Sequence, residues 1–171
     1  MFYVPVMNAH TPLPPAMTPE AEALVAADVV RGVCRMLLRH DCVAIGEVPL
    51  EGGRRVDLMA LDARGNIVIV EIKVSRADLL GDAKWPEYLG HCDRFFWAVP
   101  QGFDLRPLDQ PHFLPERTGL IVADRYDAAV AREAATVPLA APARRKATLA
   151  FARRAGRRLL GMLDPDVADG F

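Results

Sequence analysis

The chain predicts an α/β fold in which a central mixed β-sheet is flanked by helices, and three observations carry that expectation. Two long helical patterns sit at opposite ends of the chain, short apolar runs of strand length fill the middle, and the runs beyond residue 75 are separated by helix or turn signals. With 171 residues of 18.8 kDa, 51% apolar and 25% charged, the chain is long enough for one domain and needs no disulfide or structural metal.

Residues 1–17 are punctuated by Pro5, Pro12, Pro14 and Pro15 and read as an arm. Thr18 and Pro19 then stand where an N-cap and a first helical residue belong, and a helix follows to about His40. At 100° per residue Val25, Val29, Val33 and Met36 share one arc, with Arg31, Arg35 and Arg39 on the other side. Glu22 falls inside the apolar arc.

Three strands follow, Val43 to Leu50, Arg55 to Leu61 and Ile67 to Val74, forming a meander. Ser75-x-x-Asp78 is a capping box, Gly81 interrupts the turn it opens, and Pro86 starts a short helix through Leu89. Arg94 to Val99 and Gly119 to Ala123 are further strands, separated by an irregular, Pro- and Asp-rich stretch. Ala128 to Ala134 fits helix and strand equally. The core thus runs over 18–136, with a linker at 137–142, a basic helix from Ala143 to Leu163 packing on the core, and a tail at 164–171.

Net charge is only −1, yet it is unevenly spread. Residues 143–158 hold seven Arg and Lys and no acid, against 14 basic and 22 acidic residues elsewhere. Such a stripe suits a polyanion; a solvated helix face is the plainer reading. Cys34, Cys42 and Cys92 have no zinc or redox spacing, and no membrane span or secretory signal is visible, so a cytoplasmic protein is expected. The four histidines are scattered without ligand spacing, and Phe95, Phe96, Trp97 and Trp85 read first as core.

The chemistry lies in the third strand. Alternation places Ile67, Ile69, Glu71 and Lys73 on one face, and pairing Leu61 with Ile67 across the five-residue loop sets Asp57 opposite Glu71. Opposed carboxylates repel unless compensated, and Lys73 neutralises only one. A hard divalent cation such as Mg²⁺, held by Asp57, Glu71 and the Ile72 carbonyl, would serve; from spacing alone, a salt-bridge cluster at the sheet edge fits equally. Glu22 on the apolar helix arc points toward the same site, although a first-turn carboxylate is also stabilised by the helix dipole. Glu47 is a weaker fourth candidate.

Val56-Asp57 followed by Glu71-Ile72-Lys73, with an upstream helical glutamate, resembles the PD-(D/E)xK nuclease superfamily. The continuation Glu71-Ile-Lys-Val-Ser75-Arg-Ala-Asp78, Lys84-Trp-Pro-Glu-Tyr88, Cys92-Asp-Arg-Phe-Phe-Trp-Ala-Val99 and Gly119-Leu-Ile-Val-Ala-Asp124, with Ala143-Arg-Arg-Lys146, resembles the bacterial MmcB-type DNA-repair endonuclease family over about Thr18 to Leu163. The resemblance implies a restriction-endonuclease-like core and a metal-dependent DNA endonuclease, using Mg²⁺ or Mn²⁺ on damaged or branched DNA. Its matching active-site residues are Glu22, Asp57, Glu71 and Lys73, with Glu22 at a second metal or its water. Lys84 and Tyr88 stand where related nucleases place a Gln-x-x-x-Tyr pair, and Lys84 departs from it. Arg144, Arg145 and Lys146 are the expected phosphate contacts. The alternative is a non-catalytic DNA-binding repair module on a nuclease fold.

Overall fold

The computed structural model describes residues 18–164 and 166, so the expected arm and most of the expected tail lie outside the described residues. Helix α1 (Pro19–Arg39) buries Val29, Val33 and Met36 and exposes Arg31, Arg35 and Arg39, as its periodicity requires. Strands β1 (Cys42–Pro49), β2 (Arg55–Asp62) and β3 (Ile67–Ile72) are antiparallel neighbours, and Leu61 pairs with Ile67 in the expected register. β3 ends two residues before Val74, but the Lys73 N–H still donates to the Ala98 carbonyl at 2.9 Å.

Helix α2 (Arg76–Gly81) is opened by Ser75, whose Oγ accepts from the Asp78 N–H. A 3₁₀ turn over Trp85–His91 replaces the short helix expected from Pro86 to Leu89. β4 (Arg94–Pro100) and β5 (Thr118–Ala123) continue the sheet in parallel, with two 3₁₀ turns, Arg106–Asp109 and Pro111–Phe113, in the stretch expected to be irregular. β6 (Ala128–Arg132) closes it antiparallel to β5, which decides between helix and strand there. α3 (Ala141–Leu163) begins two residues before Ala143.

The result is an α/β fold with a mixed sheet in the order β1-β2-β3-β4-β5-β6 and helices on both faces. α1 covers Leu58, Val68, Val70 and Ala98 on one face. On the other, Leu79, Trp85, Phe113 and Ala147 cover Met59, Ile69, Phe95 and Trp97. Trp85 and Trp97 meet edge to face with centroids 5.2 Å apart, so the aromatic residues of β4 are core, with Phe96 in the opposite layer. α1 lies so close to the β5–β6 turn that a Cβ on Gly32 would stand 2.0 Å from the Asp124 carbonyl oxygen. Among the described residues no helix is long and apolar enough to cross a membrane.

The two ends of the sheet differ in character. Asp93, 1% exposed at the start of β4, accepts both Arg144 guanidinium nitrogens at 2.7 and 2.8 Å and the Ile67 and Leu139 N–H groups. It fastens the beginning of α3 to the sheet. At the other end, Glu47 takes φ 58°, a left-handed value that costs a non-glycine residue roughly 1–2 kcal/mol. The β1–β2 ladder skips the Glu47–Asp57 position, and Val56 joins the α3-side core although Leu58, two residues on, faces α1. The sheet therefore turns at this point.

Candidate active site

The turn frees backbone groups that regular pairing would have occupied. The β2–β3 ladder stops at Leu58–Val70, and beyond it the Asp57 N–H donates to Glu71 Oε1 at 3.1 Å while the Ile72 N–H donates to Asp57 Oδ2 at 2.8 Å. Each carboxylate thus satisfies the other strand's main chain, and this cross-linking holds two like charges side by side. Asp57 Oδ1 and Glu71 Oε2 accept no hydrogen bond from the described residues.

Both acids open into one cleft of about 690 Å³ at the end of the sheet. Ala26, Ala27 and Val30 of α1 form one wall, and Lys73, Asp78 and Asp82 another; exposed Glu47 and Arg55 stand at the mouth, and buried Tyr88 completes the lining. Burial, then the charge of Asp57, pushes the Glu71 carboxyl up to about 8 against the opposing pull of its hydrogen bond and of Lys73. Burial likewise raises Asp57 above the usual carboxylate range. The Tyr88 phenol, raised by burial and then by Glu71 to about 12, donates to the Arg55 carbonyl at 3.4 Å.

Lys73 pulls on both carboxylates as a nearby cation, but its direct ion pairs are with two further acids. Its Nζ lies 2.9 Å from Asp82 Oδ2 and 3.6 Å from Asp78 Oδ1, because the chain folds back through α2 directly after β3. Burial pulls the ammonium down, but the hydrogen bond to Asp82 and the charges of Asp78 and Asp82 outweigh it and hold it above its ordinary value. Lys73 therefore stays a cation. Sequence reasoning missed Asp78 as a cleft residue and missed Asp82 altogether; their only signal was their place in the turn that follows the lysine.

The remaining expected residues divide. Glu22 is half-buried one turn before Ala26, on the α1 face toward the cleft, but does not line it. Tyr88 lines the cleft, whereas Lys84 is exposed outside it. Arg144 lies away from the cleft: its guanidinium bonds Asp93 and the Gly65 carbonyl, at the opposite end of β3, a strand about 17 Å long. Lys146 pairs with Glu51 at 3.0 Å and Arg145 is exposed. The cations that do reach the cleft mouth are Arg154 and Arg158, 2.9 and 3.4 Å from Glu47 Oε2, with Arg55 3.8 Å from Oε1.

Among the described residues no three His, Cys, Asp or Glu side chains form a preformed metal cage. Two hard carboxylates with a spare oxygen each nevertheless suit Mg²⁺, which takes one or two carboxylates and fills its octahedron with water and substrate phosphate. The family model described as "DNA repair protein MmcB-like" matches residues 14–166. The chain belongs to the MmcB-like DNA repair family. Its MmcB-like fold is also similar to the solved SPO1766 protein of unknown function from Silicibacter pomeroyi, with 43% identity and a TM-score of 0.72 over 81% of this chain and 90% of that one. The Pyrococcus furiosus SfsA in complex with Ca²⁺ matches at 14% identity and a TM-score of 0.31, over 60% of this chain and 59% of that chain, a likeness too slight to carry weight. No curated protein matches.

Proposed function

We propose that this MmcB-like protein is a cytoplasmic, metal-dependent DNA endonuclease of the PD-(D/E)xK type, acting on damaged or branched DNA in repair. The observation that carries the reading is the cross-bonded Asp57–Glu71 pair, a half-buried and a buried carboxylate with raised proton affinity in the same cleft as a protonated lysine.

Asp57, Glu71 and the Ile72 carbonyl are the groups to hold Mg²⁺ or Mn²⁺. When bound, the ion shields the phosphodiester and supplies an activated water at neutral pH. The protein's own part is positioning and charge. Asp82 and Asp78 fix the Lys73 ammonium beside the two carboxylates, where it donates to a phosphoryl oxygen and offsets charge building there during attack. Being held protonated, Lys73 acts as a donor rather than a base. The small side chains of Ala26, Ala27 and Val30 leave room for the substrate backbone against α1.

The test is cleavage of branched, flapped and single-stranded DNA with Mg²⁺ or Mn²⁺ by the wild type and by Asp57→Asn, Glu71→Gln and Lys73→Ala. The expected outcome is divalent-dependent cleavage that each carboxylate substitution abolishes, with Lys73→Ala retaining metal binding but losing at least about a hundredfold in rate. A wild type that binds DNA without cutting it is the outcome that favours the non-catalytic module instead.

A further inference from the structure

Glu47 carries one negative charge on two oxygens, as a phosphodiester does, and the structure surrounds it with guanidinium groups. Arg154 and Arg158 from α3 meet one oxygen and Arg55 from β2 approaches the other, at the mouth of the acidic cleft. The cations outnumber the carboxylate three to one. The Glu47 side chain is 51% exposed and Arg158 45%, so the cluster is open to solvent and a stronger anion can enter it.

Immediately beside it is a hollow of about 390 Å³ between α3 and the end of β1. Its floor is apolar, with Leu50 and Ala150, and its rim carries Arg153, Arg154 and Arg157 beside the Lys146–Glu51 ion pair, a net positive border. Arg154 is shared between the rim and the Glu47 cluster. An apolar seat bordered by positive charge, continuous with an anion site, matches a nucleotide in its two halves: an apolar base face and an anionic backbone. α3 carries no acid between Ala143 and Arg158 to oppose it.

We infer that a single-stranded segment of nucleic acid leaves the acidic cleft over the C-terminal half of α3, with Arg154 and Arg158 taking successive phosphates in place of Glu47 and the adjoining hollow seating one unstacked base. This rests on the nuclease reading of the cleft and adds to it the direction of the strand and a preference for unpaired nucleotides. It moves the phosphate contacts from Arg144 to Arg154 and Arg158, with Lys146 bordering the hollow between them.

The experiment measures fluorescence anisotropy of a labelled single strand and of the matching duplex on the full-length Asp57→Asn protein in Mg²⁺, over a range of salt. The Arg154→Ala/Arg158→Ala double variant should bind the single strand at least about tenfold more weakly. Its log-affinity against log-salt slope should fall by about 1.4, roughly 0.7 for each of two phosphates. Arg64→Ala should stay within about twofold of the parent, because its exposed side chain lies in the β2–β3 loop at the opposite end of the sheet. Glu47→Gln removes the competing charge and keeps the arginines, so affinity should hold or rise; a loss as large as that of the double variant would make the cluster structural and overturn the inference. Ala150→Phe, which fills the hollow, should weaken the single strand and leave the duplex unchanged, and an unchanged single strand would overturn the base seat. If the double variant is silent while wild type still cleaves DNA, the inference fails alone and the stripe serves a protein contact. If wild type neither binds nor cleaves DNA, the nuclease reading falls with it.

Discussion

Glu71 is 4% exposed, and its neighbours make its proton hard to remove. The sign of the consequence follows from linkage: between the ordinary carboxyl value of 4.5 and about 8 the folded protein keeps a proton that the unfolded chain has released. Without divalent ion, stability is therefore highest below the lower value and declines as pH rises toward 8, by up to about 1.4 kcal/mol per pH unit for this group. Urea denaturation in EDTA should show that decline, and Glu71→Gln should flatten it. Added Mg²⁺ should reverse it in the wild type, because the ion favours the ionised carboxylate and stabilises only the folded form. A pH-independent wild-type stability in EDTA would contradict the raised carboxyl.

At the scale of single elements, α3 is held by a group of opposite behaviour. Burial works against the Asp93 carboxylate, but Arg144 and the Ile67 and Leu139 N–H groups outweigh it and lower its pKa. Its stabilisation is present above the ordinary carboxyl value and is lost as pH falls through the lowered one. Asp93→Ala should leave the Ile67 and Leu139 N–H groups and the half-buried Arg144 guanidinium without their acceptor and cost about 1–3 kcal/mol. Amide exchange should then accelerate in the linker at Val137 to Leu139 and the first turns of α3, while β3 and β4 remain protected. Uniform exchange through the sheet would mean that Asp93 supports the whole core instead. None of this is legible in the sequence: Asp93 looks like any loop aspartate there, and its partner is 51 residues away. What is legible at this scale is what depends on near neighbours. The α1 arc, the Leu61–Ile67 register and the Ser75 cap are set by local spacing, and all three stand. The alanine-rich β6 has no periodic contrast, and only its pairing with β5 makes it a strand.

Across the molecule the same division explains the cleft. Asp57, Glu71 and Lys73 come together in the sequence reading because a strand's alternation and one short loop are enough to align them. The second layer escapes it, since Asp78 and Asp82 arrive through a reversal of the chain. Arg154 and Arg158 reach Glu47 across 107 and 111 residues, a distance over which sequence pattern carries no geometric information. Seven cations without an acid announce a charged helix; only the fold says that one end is anchored inward and the other faces the cleft.

Gly32 lies outside the cleft, yet it fixes how closely α1 approaches the β5–β6 turn. A side chain there would meet the Asp124 and Asp127 carbonyl oxygens at 2.0 and 2.5 Å, and backbone cannot step aside as a flexible side chain would. Gly32→Ala should therefore lower the melting temperature and reduce cleavage although no cleft residue has changed; an unaltered melt and rate would show that α1 yields without effect. The helix that must yield is the one whose Ala26, Ala27 and Val30 wall the cleft. A missing methyl group six residues along α1 from Ala26 thus lets the helix that walls the cleft rest against the β5–β6 turn.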